Sequence, residues 1–282
     1  MSLRINTNVA ALNAYNNLNA NQSKLEGAFE QLSSGLRINK AADDASGLSI
    51  AQGLTSQING LTQAVSNAQD ATNVAQIADG SLGTVQDILQ RMRTLVVQAG
   101  NSGTQDSNSL SAINQEVKAL NTQLDSIATQ TKFGATNLLD GTYNGTFQIG
   151  ANGGDTISLN LSTGVSSSGA LATSGLTIAA STSPTTYTSA NASADLTSID
   201  AAIKTVSSAR SNIGAVQNQL SYTTSNLQTA ITNVTASRSN LTDADLATEV
   251  TQMTQQQILT QAATSVLAQA NSAPQAILKL LQ

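Results

Sequence analysis

The sequence predicts a mostly α-helical protein: a long antiparallel helical bundle or coiled coil formed by its N- and C-terminal segments, with a small β-hairpin insert. Three observations support this class. Hydrophobic residues recur about every 3.5 positions, the coiled-coil period. Aromatic residues make up 2% of the 282 residues and Trp is absent, which argues against a thick globular core. One stretch rich in Gly, Ser and Thr interrupts the helical pattern.

The longest predicted helix lies in the N-terminal half. Its apolar residues follow one another in steps of three or four over 42 positions, at Leu54, Ile58, Leu61, Val65, Ala68, Ala71, Ala75, Ala78, Leu82, Val85, Leu89, Met92 and Val96. Such a helix extends about 65 Å. Gly100 to Gly103 is expected to end it. Gly80 and Gly83 lack the context of a phosphate loop and are expected to allow close helix approach or a mild bend.

Two further patterns complete the predicted bundle. One runs through Leu110, Ile113, Val117, Leu120, Leu124 and Ile127, and it should fold back antiparallel on the first helix. The other lies far downstream, at Leu196, Ile199, Ile203, Val206, Ala209, Ile213, Val216, Leu220, Leu227, Ile231 and Val234. This third helix can pack against both.

Thin apolar stripes also mark the two ends of the chain, on segments rich in Asn and Gln. They consist of Leu18, Leu25, Phe29, Leu32 and Leu36 at the front, and Leu246, Val250, Met253, Leu259, Ala263, Val266 and Ala270 at the back. Paired with each other, such helices still expose apolar surface, so we expect them to be poorly ordered alone and ordered once neighbours bury them. The pattern favours a self-assembling structural protein.

The insert at 141–193 is expected to hold a β-hairpin and exposed loops. Residues 146–149 and the alternating Ile157, Leu159 and Leu161 flank the turn sequence Asn-Gly-Gly-Asp at 152–155. Residues 176–178 are predicted to add a short strand. The Ser/Thr tracts at 166–168 and 181–188 are typical of exposed loop.

The composition argues against catalysis and metal binding. His and Cys are absent, which removes the commonest general base, the commonest zinc ligands and every His-dependent triad. Paired carboxylates at Asp43 and Asp44, and at Asp243 with Asp245, leave acid–base or divalent-cation chemistry open. We favour helix capping instead, at the start of a helix after Lys40 and in an N-cap region at Thr242–Asp243. No cofactor is expected.

The charge and the termini restrict the partners. With 12 basic and 17 acidic residues the net charge is −5, so neither nucleic acid nor an acidic membrane is an expected partner. Residues 1–8 lack the apolar stretch of a secretory signal, and no run is long enough to span a membrane. The expectation is a cytoplasmic protein or one exported without a cleaved signal.

The sequence resembles bacterial flagellin, the filament subunit of the flagellum. The resemblance rests on INTN at 5–8, QLSSGLRINKAADDASGL at 31–48, DADLATE at 243–249, SVLAQAN at 265–271 and Pro274-Gln275. It covers roughly residues 1–140 and 195–282. It implies an inner coiled-coil domain (1–44 and 242–282), a helical bundle domain (45–140 and 194–241) and a variable surface region (141–193).

The resemblance also implies function, partners and location. A flagellin is exported through the flagellar type III apparatus and polymerises into an extracellular filament for swimming. The implied partners are other copies of the chain, filament cap and hook–filament junction proteins, the export apparatus and an export chaperone. The implied polymerisation seams are Leu18, Leu25, Phe29, Leu32, Leu246, Val250, Met253, Leu259 and Val266.

A receptor site is implied as well. The segment LQRMRTLVVQ at 89–98 is similar to the part of many flagellins that the innate immune receptor Toll-like receptor 5 reads, with matching positions at Gln90, Arg91, Leu95 and Glu116. Two positions depart from the pattern: Thr94 stands in place of an acidic residue and Leu120 in place of a basic one. Because Arg91 and Arg93 lie off the seam, a solvated helix surface is the simpler interpretation of both.

Three other classes of protein fit the sequence less well than a filament subunit. A hook–filament junction protein is the nearest alternative, but the uninterrupted match at both ends argues against it. A type III translocator would need a strongly apolar helical hairpin, and none is visible. A flagellin with a metalloprotease insert would need a His-Glu-x-x-His helix, which a chain without His cannot form.

Overall fold

The fold is predominantly helical, in agreement with the prediction. The computed structural model describes residues 7–101, 103–161, 164–166, 169, 171, 173 and 187–280, and the side chains up to 272. Within these residues the elements are α1 (Val9–Ser34), α2 (Ala45–Ala99), α3 (Ser107–Gln130), β1 (Lys132–Phe133), β2 (Thr136–Asn137), β3 (Asn144–Gln148), β4 (Thr156–Asn160), α4 (Ser189–Thr242) and α5 (Leu246–Leu280).

The chain divides into two compact units. The terminal unit consists of Met1–Ile58 and Thr232–Gln282, and the central unit consists of Asn59–Ile231. The terminal unit holds α1, α5, the first turns of α2 and the last turns of α4. The central unit holds α3, the four strands and the remaining parts of α2 and α4.

The core of the central unit follows the predicted spacing. Ten of the thirteen α2 positions in the predicted seam are buried: Leu61, Ala68, Ala71, Ala75, Ala78, Leu82, Val85, Leu89, Met92 and Val96. Those from Ala75 to Val96 belong to the main core cluster. From α3 it receives Leu110, Ile113, Val117 and Leu124, and from α4 Ile199, Val206, Ala209 and Ile213. α2 ends at Ala99, immediately before the predicted stop.

The predicted hairpin is present and packs on α2. β3 and β4 pair antiparallel with Phe147 opposite Ile157, and Ile157 and Leu159 are buried. The turn approaches α2 so closely that a Cβ on Gly60 would lie 2.9 Å from the Cβ of Ala151. β1 and β2 form a second, shorter antiparallel pair. The strand predicted at 176–178 lies outside the described residues.

The expectation for the two glycines within α2 is wrong in one respect. A Cβ placed on Gly80 or Gly83 would meet no atom of another element within 4 Å. Close helix approach therefore does not explain either glycine. α2 continues through both positions without interruption.

A buried polar pair lies where α4 begins. The Tyr187 side chain is buried, and its hydroxyl donates a hydrogen bond to Asp195 Oδ2 at 2.8 Å. Burial raises the pKa of the Asp195 carboxyl, and the bond from Tyr187 opposes part of that rise. Burial, followed by the bond to Asp195, also raises the pKa of Tyr187. The pair fixes the entry of the chain into α4 within the central unit.

Candidate interaction surfaces

The terminal unit is built on an antiparallel pairing of α1 with α5, whose Cα atoms repeatedly approach within 8 Å. Asn8 Nδ2 donates to the carbonyl of Ala270 at 2.7 Å, which sets the register. The least exposed positions of each helix recur at steps of three and four, as in a coiled coil. They are Ala11, Ala14, Leu18, Asn21, Leu25 and Ala28 on α1, and Glu249, Met253, Gln256, Thr260, Ala263, Leu267 and Ala270 on α5.

This inner stripe is small and partly polar, so it stabilises the pair weakly. Its only buried hydrophobic members are Ala14 and Ala28. Among the described residues, Glu249 Oε2 and Gln256 Oε1 are buried without a hydrogen-bond partner. A buried polar atom left without a partner costs about 1–3 kcal/mol. The pairing of α1 with α5 therefore lacks the large apolar core that normally holds two helices together.

Large apolar side chains lie on the outside of the same two helices. Their exposed fractions range from 40% for Leu259 to 61% for Ile258, and the set comprises Val9, Leu12, Tyr15, Phe29, Leu246, Val250, Ile258, Leu259 and Val266. We name this set the outer stripe. So many large exposed apolar side chains on otherwise polar helices favour an interaction site.

The predicted polymerisation residues divide between the two stripes. Leu18, Leu25 and Met253 belong to the inner stripe, and Leu32 is likewise half-buried. The other five, Phe29, Leu246, Val250, Leu259 and Val266, belong to the outer stripe. The sequence pattern did not predict that Val9, Leu12, Tyr15 and Ile258 are also exposed on these helices. Their apolar character within polar segments could have indicated it.

The paired carboxylates act as helix caps and turn acceptors. Asp43 Oδ2 accepts from the amides of Asn39 and Lys40 at 3.0 and 2.9 Å, and these bonds, the one from Lys40 first, lower the pKa of Asp43. Asp44 Oδ1 accepts from the amide of Gly47 in the first turn of α2 at 2.8 Å. The capping interpretation is therefore confirmed for Asp44, whereas Asp43 closes the turn that precedes α2.

The second carboxylate pair differs from the expectation. α4 extends to Thr242, and the residue that caps α5 is Asp245, whose Oδ1 accepts from the amide of Ala247 at 3.0 Å. The predicted N-cap region at Thr242–Asp243 is thus wrong, because those residues complete the preceding helix. Asp243 accepts from the hydroxyls of Ser239 and Thr242, in that order of effect, and both bonds lower its pKa.

The predicted receptor residues lie on α2 and α3 in the central unit. Gln90 and Arg91 are exposed, and Arg91 Nη2 lies 2.7 Å from Glu116 Oε1 on α3. Leu95 is 1% exposed and belongs to the core, so its side chain is not available for the direct receptor contact that the resemblance implies. Of the two departures from the pattern, Thr94 is exposed and Leu120 is half-buried against the core.

The described residues offer no arrangement for metal chemistry. Among them, no three acidic side chains are placed together to hold a metal ion. The helices in this part of the chain also lack the length and apolar character needed to cross a membrane. Long helices with a buried core in one unit and exposed large apolar side chains in the other are typical of a helical structural protein.

Comparison with known proteins gives the family. Residues 5–144 match the bacterial flagellin N-terminal helical region, and residues 196–281 match the bacterial flagellin C-terminal helical region. The chain belongs to the bacterial flagellin family. Flagellins are structural proteins and not enzymes, and the chain is accordingly a structural subunit that polymerises into the flagellar filament and serves motility.

Similar proteins match over the whole chain. The flagellin of Bacillus subtilis (strain 168) is 43% identical over 305 residues, which cover 99% of this chain and 100% of that protein. A flagellin of Halalkalibacterium halodurans is 42% identical, with 99% of each chain covered. The crystal structure of Bacillus cereus flagellin is 29% identical and has a TM-score of 0.46, covering 57% of this chain and 88% of that one.

Proposed function

We propose that the outer stripe of α1 and α5 is the surface through which copies of this chain contact one another in the filament. The observation that supports this is the contrast within the terminal unit. Many of its large apolar side chains are exposed, whereas the hydrophobic residues buried between α1 and α5 are the small Ala14 and Ala28. Covering one large apolar side chain contributes about 1.5–3 kcal/mol, so assembly supplies the stabilisation that the isolated helix pair lacks.

The geometry of such contacts accounts for an open polymer. A chain that presents one surface to a different surface of the next copy forms a heterologous contact, and repetition of a contact that does not close generates a helical filament. In this proposal 1–44 and 242–282 form the inner domain of the filament, 45–140 and 194–241 the surrounding bundle, and 141–193 the variable outward region.

The export and assembly partners and the extracellular location are also proposals, and they follow from membership of the family. We propose that the chain is exported by the flagellar export apparatus with the help of an export chaperone. It then assembles outside the cell, beneath a filament cap and onto hook–filament junction proteins.

Seeded assembly tests the proposed surface. Val266 is 58% exposed, so Val266→Asp should leave the circular dichroism spectrum of the monomer unchanged and abolish elongation from wild-type filament seeds. Thr264→Asp is the matched control, because it places the same charge at an exposed position of the same helix. Normal elongation by Val266→Asp would refute the proposal.

Truncation tests the same idea on a larger scale. A chain lacking residues 243–282 retains every residue of the central unit, so it should remain soluble and helical. It should form no filaments under conditions in which the full chain does. Filaments of the truncated protein, seen by electron microscopy, would contradict the assignment of assembly to the terminal helices.

We also propose that the free monomer is a ligand of Toll-like receptor 5. The support is the exposed pair of Arg91 with Glu116, together with Gln90 on the same helix and Leu95 beneath. Arg91→Ala should reduce receptor signalling by the monomer without altering its helical spectrum. Arg93→Ala is the control, since Arg93 pairs with Asp200 on α4 instead. Equal signalling by the Arg91→Ala protein and the wild type would refute this site.

A further inference from the structure

The C-terminal end of α4 requires partners that α4 itself does not supply. The last four carbonyls of an α-helix have no intrahelical donor, and a cation near them is favourable because of the helix dipole. α4 carries no basic residue in its last turn, which ends at Thr242. Donors and a cation from elsewhere in the chain can meet both needs.

Arg37, in the connection between α1 and α2, meets both needs. Its amide donates to the carbonyl of Thr242 at 2.7 Å, and its Nη2 donates to the carbonyl of Leu241 at 2.6 Å. Arg37 thus caps the end of a helix that lies 204 positions away in sequence. A guanidinium suits this position because it stays charged and directs several donors in one plane.

The end of α1 makes the reciprocal contact, with the connection between α4 and α5. Gly35 caps α1 with a φ of 72°, a conformation that favours glycine. Its carbonyl accepts from the amide of Ala244, in the connection between α4 and α5, at 2.9 Å. Leu36 and Asp243 form an antiparallel bridge between these two bonds. The connection between α1 and α2 therefore caps the end of α4, and the connection between α4 and α5 bonds to the residue that caps α1.

We propose that Arg37 is a positioning residue for filament assembly. By joining the two connections, it fixes the directions in which α1 ends and α5 begins, so that the two helices present the outer stripe as one surface. Without this capping the two connections can move separately, and only a fraction of monomers holds both helices ready for addition. Apparent affinity falls in proportion to that fraction. The inference rests on the proposed role of the outer stripe.

Neighbouring charged groups do not duplicate the function of Arg37. Lys40, three residues along the same connection, pairs with Glu30 on α1 and not with a helix end. Asp243, on the facing connection, accepts from Ser239 and Thr242. Lys40 is therefore a control of equal charge that lies in the same connection and makes no bond to α4 among the described contacts.

The test measures the critical concentration for elongation from wild-type seeds, with full-length Arg37→Ala, Arg37→Lys and Lys40→Ala proteins. Loss of one charge-assisted hydrogen bond corresponds to about a tenfold change in an equilibrium. We expect Arg37→Ala to raise the critical concentration about tenfold. Arg37→Lys keeps a cation and a donor, so it should restore most of the loss, and Lys40→Ala should stay within about twofold of the wild type.

The outcomes separate this inference from the proposed function. If Arg37→Ala and Lys40→Ala have the same critical concentration, the positioning role is refuted. If Arg37→Ala lowers the helical signal of the monomer, Arg37→Lys decides, because its failure to assemble would overturn the inference and its assembly would support it. If Val266→Asp elongates normally, the outer stripe is not the assembly surface, whatever Arg37 does.

Discussion

The two units of this flagellin use the same kind of helix in opposite ways. The central unit buries large side chains, such as Leu82, Leu89 and Met92, at 1% exposure or less. The terminal unit buries few large hydrophobic side chains, Ile38 being one, and the hydrophobic residues that the pairing of α1 with α5 buries are Ala14 and Ala28. The comparison teaches that one coiled-coil period can specify either a self-sufficient core or a surface that is completed by further copies of the chain.

A charge in the central core should have the largest effect. Leu89 is fully buried, so Leu89→Asp should cost more than about 4 kcal/mol, enough to abolish cooperative thermal unfolding of the central unit. Val97→Asp, on the same helix at a 52% exposed position, should change stability by less than about 0.5 kcal/mol. A cooperative unfolding transition of the Leu89→Asp protein near the wild-type melting temperature, followed by circular dichroism, would contradict the claim that the central unit depends on this core.

Overpacking the α1–α5 pair should have a smaller effect that is confined to the terminal unit. Ala28 is 6% exposed, and Ala28→Leu should destabilise the pairing by about 1–3 kcal/mol because the added methyl groups find no space. Phe29→Leu, at the exposed next position, is the control. Hydrogen exchange should show faster exchange in α1 and α5 only for Ala28→Leu. Equal exchange rates in the two variants would mean that the space between α1 and α5 accommodates the larger side chain.

Acid should weaken the connections of the terminal unit. The pKa values of Asp43 and Asp243 are lowered below the ordinary 3.8, so both carboxylates stabilise the fold above that pH. This stabilisation is lost as the pH falls from about 3.8 through the lower folded-state pKa values. Asp43→Asn with Asp243→Asn should reduce this acid dependence of hydrogen exchange at 35–44 and 241–246. An unchanged dependence would contradict the assignment.

The buried pair in the central unit should show the opposite pH dependence. The pKa of Asp195 is raised, so ionisation of this carboxyl destabilises the fold as the pH rises above 3.8 through the folded-state pKa. Asp195→Asn keeps an acceptor for Tyr187 without a charge and should be at least as stable at pH 7. Asp195→Ala should be less stable by about 1–3 kcal/mol, because the buried Tyr187 hydroxyl loses its acceptor. Thermal unfolding at several pH values measures both.

Much of the fold could be predicted because the helical pattern is local. The stop after Ala99 and the hairpin turn at 152–155 depend on residues adjacent in sequence, and both are present. The two stripes of α5 were harder to separate. Apolar residues lie on both faces, and the stripe that meets α1 includes Gln256 and Thr260, which a search for hydrophobic periodicity passes over.

The candidate sites show the same division. Exposure of Arg91 followed from its position off the seam, whereas burial of Leu95 was decided by α3 and α4 packing against α2. The capping role of Arg37 had no local signal at all, since its side-chain acceptor, the carbonyl of Leu241, lies 204 residues away. Nothing in the spacing of residues near Arg37 indicates which carbonyls it meets.

The sequence by itself determined the helical class, the long α2 seam, the hairpin and membership of the flagellin family, because periodicity, turn residues and terminal motifs are all readable along the chain. Only the tertiary structure decided which apolar residues remain exposed on α1 and α5 and how the ends of α1 and α4 are capped. The physical reason is that burial and capping depend on pairs of segments far apart in sequence, such as Gly35 with Ala244, whose meeting is a property of the whole fold.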